Sequence, residues 1–66
     1  MTPIENGYTY QTRYSDEDKE YVGTCLQFPS LSWLDPDREK ALEGIKRLVR
    51  NVIEDMRHNG EKIPMP

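Results

Sequence analysis

The chain has 66 residues, with 9 Lys and Arg against 12 Asp and Glu, for a net charge of −3. That length bounds it to one domain, residues 1–66, burying only about 60% of its unfolded surface, a shortage that oligomerisation or a partner commonly remedies. The acidic balance excludes the basic footprint of a nucleic-acid binder. No apolar run approaches the roughly 18 residues of a membrane span, and no membrane association is expected. Residues 1–8, MTPIENGY, lack the apolar region of a signal peptide. Cys25 is the single cysteine, so no internal disulfide can form and a reducing, cytoplasmic setting is expected.

Residues 1–7 hold Pro, Asn and Gly and read as a loose lead-in. Residues 8–15, YTYQTRYS, place Tyr8, Tyr10, Thr12 and Tyr14 on one parity and Thr9, Gln11 and Arg13 on the other. This alternation predicts a strand with one buried and one wetter face. Residues 15–20, SDEDKE, form a polar hairpin connection. Residues 21–34, YVGTCLQFPSLSWL, carry no charge and are rich in types that suit a pleated surface. Pro29 cannot donate to a ladder, so the stretch reads as two strands, 21–28 and 31–34, around a turn at Pro29-Ser30. On the first of these, Val22, Thr24, Leu26 and Phe28 share one face, and Leu26 and Phe28 are expected to meet the helix. Gly23 marks either a close backbone approach or a bulge.

Asp35-Pro36 is a turn signal, and Asp37 is the expected N-cap, with Asp35 as the alternative. From there Ala41, Leu42, Ile45, Leu48, Val49, Val52, Ile53 and Met56 recur at threes and fours, a wide apolar stripe on a long helix. Leu42, Ile45 and Val49 are expected in the core. Asn59-Gly60 stops the helix, with Arg57 and His58 suited to its last turn. A helix of about 20 residues is about 30 Å long, more than three short strands cover. Its far end, Val52, Ile53 and Met56, is therefore the expected contact with a second copy. Residues 61–66, EKIPMP, read as an extended tail leaving the domain.

The pattern is α+β: a three-stranded antiparallel meander followed by one long amphipathic helix, β-β-β-α. Asp16, Glu17, Asp18 and Glu20 could offer oxygen ligands to a divalent ion, but the loop lacks the glycine and spacing of a calcium loop and reads as a solvated turn. Cys25 reads as a small buried hydrophobe. His58 reads as a capping cation, and Lys46, Arg47, Arg50 and Arg57 as the solvated face of the helix. No catalytic constellation forms, so neither enzyme activity nor a cofactor is expected. Tyr21, Phe28 and Trp33 are of the aromatic kind enriched in interface hot spots.

The order YTY, acidic turn, YVGTC, FPS, then the helix opening Glu39, Ala41 and Leu42 resembles the N-terminal domain of HicB-family antitoxins. The resemblance runs from Tyr8 onward and implies a partial RNase H-like fold without the catalytic carboxylates. It also implies a partner, a HicA-like basic mRNA-cleaving toxin of a type II toxin–antitoxin system, neutralised by protein–protein contact. Tyr21, Trp33, Asp16 and Asp18 are then the candidate partner-binding residues. Full-length members continue into a DNA-binding helix-turn-helix or ribbon-helix-helix domain. These 66 residues include no such domain, so no direct DNA binding is expected of them. The competing expectation is an orphan homo-oligomeric scaffold with no toxin partner.

Overall fold

The computed structural model describes residues 7–65, in which three strands precede one helix: β1 Tyr10–Ser15, β2 Glu20–Cys25, β3 Phe28–Asp35 and α1 Arg38–His58. The sheet is an antiparallel meander in the order β1-β2-β3 with α1 across one face. This is the expected β-β-β-α architecture. The expected lead-in, apart from Gly7, lies outside the described residues.

The first hairpin closes where SDEDKE placed it. Ser15 pairs with Glu20, Lys19 takes a left-handed φ of 55°, and its N–H donates to the Ser15 carbonyl at 2.7 Å. The second hairpin corrects the sequence reading. Cys25 pairs directly with Phe28, so the turn is Leu26-Gln27 and not Pro29-Ser30. Pro29 lies inside β3, where the register jumps between Thr24↔Ser32 and Cys25↔Phe28. Residues 29–31 are extra on β3 and form a bulge, one of the few places in a sheet that tolerates the missing N–H of proline.

Moving the turn changes which residues face the helix, because side-chain direction alternates along a strand. Leu26 sits at the hairpin tip, 68% exposed, and takes no part in the core expected of it. The helix-facing residues of β2 are Gly23 and Cys25. A Cβ on Gly23 would stand 2.6 Å from the Ala41 carbonyl oxygen and 2.9 Å from the Ile45 side chain, so the missing side chain lets α1 lie directly on the strand. Val22 is buried on the opposite face of the sheet, paired with Arg13 and Leu34.

The core joins Tyr8, Cys25, Phe28, Ile45, Val49 and Ile53, with Leu42 packed at its margin. Tyr8 and Phe28 meet edge to face at 5.7 Å between ring centroids. Cys25 is almost wholly buried, and its thiol donates to Gln27 Oε1 at 3.6 Å. The helix begins at Asp37, whose Oδ1 accepts from Glu39 N–H at 2.9 Å and Lys40 N–H at 3.4 Å. Asp35 instead accepts from the Asp37 N–H at 2.8 Å, an Asx turn that feeds the cap. At the other end Gly60 takes φ 74°, its N–H bonds to Arg57 O, and Glu61 N–H bonds to Met56 O. That pair of bonds is a Schellman motif, which reverses the chain.

The reversal overturns the expected departing tail. Ile63 packs against the core, and the Tyr8 hydroxyl donates to the Pro64 carbonyl at 2.6 Å. Those contacts also take Ile53 out of the surface expected to meet a second copy. Ile53 is 1% exposed within a single chain, and Val52 and Met56 are half-buried against the same cluster.

Candidate interaction surface

At the end of the sheet away from Leu26-Gln27, the register sets Tyr14 opposite Tyr21 and Tyr21 opposite Asp35, with Trp33 opposite Gly23 one step further along the same face. The Tyr14 and Tyr21 rings meet edge to face at 5.2 Å. Tyr14 is 50% exposed and Trp33 37%.

Trp33 is held from below by the helix. Its indole lies against Gly44, at a separation that leaves no room for a Cβ there. Around it Asp35, Lys40, Glu43 and Arg47 line a shallow depression of about 250 Å³. The ring is thus a fixed apolar plate within a ring of mixed charge. That fits one side of a hot spot, where a rigid aromatic is surrounded by polar groups.

The acidic turn closes the same end. Ser15 Oγ donates to Asp18 Oδ2 at 3.1 Å and accepts the Asp18 N–H at 3.3 Å, which orders the Asp18 carboxylate. Asp16 and Glu17 are exposed. Asp16, Glu17 and Asp18 share a second groove, about 560 Å³, with Arg13, Val22 and Leu34 on the outer face of the sheet. Among the described residues, no group of three or more His, Cys, Asp and Glu is placed to hold a metal ion.

Of the sequence-predicted partner-binding residues, Tyr21 lies on the helix-facing side with Trp33 further along the same face, while Asp16 and Asp18 lie in the turn between β1 and β2 and line the groove with Arg13, Val22 and Leu34 on the outer face. Tyr14 and Leu34, the latter 42% exposed, join this surface without having been predicted. Tyr14 shares its parity with the inward-facing Tyr8 and Tyr10, so only the cross-strand register reveals that it projects past the helix.

No helix among the described residues is long and apolar enough to cross a membrane. No family model, curated protein or solved structure matches the chain.

Proposed function

We propose that this domain is an antitoxin-like binding module that silences a basic, HicA-like mRNA-cleaving toxin by contact, in the cytoplasm and without chemistry of its own. The observation that carries the reading is the end of the sheet where exposed Tyr14, packed edge to face on Tyr21, lines one groove with the Asp16–Glu17–Asp18 turn, with Trp33 further along the helix-facing side. Aromatic anchors next to a carboxylate cluster suit a partner whose own surface is built to hold a phosphate backbone. The β-β-β-α order agrees with the HicB resemblance. Acidic groups would steer the encounter, and the aromatic plate would set how long the complex lasts.

The test is to ask whether the adjacent gene encodes a short basic protein, to co-express the chain with that product, and to measure association by surface-based kinetics. The expected result is a one-to-one complex whose on-rate falls as salt rises. Asp16→Lys with Asp18→Lys should lower mainly the on-rate. Trp33→Ala should raise mainly the off-rate, with its thermal midpoint checked because Trp33 also rests on Gly44. No complex at micromolar concentrations rejects the reading in favour of an orphan homo-oligomeric scaffold.

A further inference from the structure

β3 carries an exposed apolar window on its free edge. Among the described residues it pairs with β2 alone. Pro29 and the bulge at residues 29–31 close its first part to strand addition, and Pro36 closes the other end just past Asp35. Between them Ser32, Trp33 and Leu34 are all exposed. The Trp33 ring lies on the helix side and Leu34 on the outer face. These three residues include no charge, proline or bulge, the devices that ordinarily keep an edge from pairing.

The direction of the backbone groups follows from a single bond. Leu26 N–H donates to Thr9 O at 2.9 Å, continuing the β1–β2 register. In an antiparallel ladder, hydrogen-bonded pairs alternate with non-bonded ones. Val22 and Thr24 therefore turn their N–H and C=O groups to β1, and Tyr21 and Gly23 turn theirs to β3. Across that second ladder Trp33 and Asp35 face β2, so Ser32 and Leu34 direct their groups to the outer edge. No hydrogen bond among the described residues takes up those outward groups.

We propose that this edge receives β3 of a second copy, antiparallel about a two-fold axis at Trp33, joining two sheets into one of six strands. In that register Ser32 of each copy meets Leu34 of the other, and each such pair exchanges both backbone bonds. Trp33 meets Trp33 between them, an aromatic cross-strand pair that is favourable beyond its buried area. The neighbouring registers fail at the closed ends. One sets Leu34 against Ser30 in the bulge, and the other sets Ser32 against Pro36, which has no N–H to donate.

The helix side suits a second copy of the same chain. The rim of the shallow depression around Trp33 holds two carboxylates, Asp35 and Glu43, and two cations, Lys40 and Arg47. That rim is neutral and carries both signs, so its two-fold image meets it without net repulsion and can set opposite charges together. Trp33 itself is held on Gly44, so little freedom of the ring is lost when the second copy covers it. A toxin that anchors on this ring competes with the second copy for it. The self-association does not rest on the antitoxin reading and is tested on the chain alone.

Sedimentation equilibrium and tryptophan emission on the whole chain test it together. The wild type should associate to twice its 7.8 kDa mass as concentration rises. Trp33 is the single tryptophan, so emission should move to shorter wavelength over the same concentrations as the two rings cover each other. Ser32→Pro removes an outward N–H without touching the β2–β3 ladder and should leave a folded monomer. Because a proline variant can fail to fold, Ser32→Lys serves as a second block. It places a charge at an exposed edge position against Leu34 of the second copy and should weaken association by roughly 2- to 30-fold with helix content unchanged. A wild type that stays monomeric at hundreds of micromolar overturns the proposal. So does a dimer whose tryptophan emission matches that of the monomer, or one that folded Ser32→Lys forms as tightly as the wild type.

Discussion

The two halves of α1 reach the rest of the molecule by opposite means. The first half, around Ala41 and Gly44, gets close because side chains are missing: Gly23 lets the Ala41 carbonyl down onto β2, and Gly44 lets Trp33 lie on the helix. The second half, Val49 and Ile53, is covered by large side chains: Tyr8 from before β1, Phe28 from the start of β3 and Ile63 from beyond the helix. Backbone-to-backbone contact leaves little freedom of adjustment. Side-chain contact can be rearranged. The difference explains how a 21-residue helix is covered by strands of six to eight residues: the chain returns after the helix and supplies cover at the far end.

Substitutions at each half sharpen the contrast. The largest loss is expected for Ile45→Ala, about 2–5 kcal/mol, since Ile45 is fully buried where the two halves join and its removal adds a cavity to the lost transfer energy. Chemical denaturation would measure it, and an unchanged midpoint would mean the wrong helix face has been placed inward. Gly23→Ala follows at about 1–3 kcal/mol, because the new methyl meets the Ala41 carbonyl, which is backbone, as well as the Ile45 side chain. If Gly23→Ala proves neutral, the tight approach of the first half is not real.

At the second half the effects are smaller. Tyr8→Phe should keep the ring packing and lose only the bond to Pro64 O, costing about 0.5–1.5 kcal/mol. Burial, reinforced by nearby Cys25, raises the Tyr8 pKa above the ordinary tyrosine value. A raised phenol favours folding while protonated. Its contribution is complete below about pH 10, the unfolded value, and disappears as pH rises through the higher folded value. The wild type should therefore lose stability above about pH 10 more steeply than Tyr8→Phe does. Parallel curves would show that the hydroxyl is not held as described.

The strands, the helix, the N-cap at Asp37 and the burial of Cys25 were legible because alternation, helical spacing and capping chemistry are local signals. The second turn was not. Pro29 marks a turn in most contexts, yet an edge strand with a bulge accepts it equally well, and only the pairing of Cys25 with Phe28 separates the two cases. That shift reversed the face assignment of β2, exposing Leu26 and turning Gly23 and Cys25 inward. The tail was illegible for another reason: Ile63 is one apolar residue among prolines and charges, with no periodicity to announce that it returns to the core. Placing Ile53 at an interface between copies followed from missing that return. Of the candidate site, Trp33 and the acidic turn were readable as residue types. The packing of Tyr14 on Tyr21 next to that turn, and the place of Trp33 opposite Gly23, depend on register.

The central claim is that the domain acts by binding and silencing a ribonuclease. It is tested most directly by RNA cleavage with a basic, HicA-like ribonuclease, the product of the adjacent gene where that gene encodes one, with and without the folded 66-residue chain. The account predicts that an equimolar amount of chain suppresses cleavage, and that Asp16→Lys with Asp18→Lys requires more protein for the same effect. Undiminished cleavage in the presence of excess folded chain would contradict it.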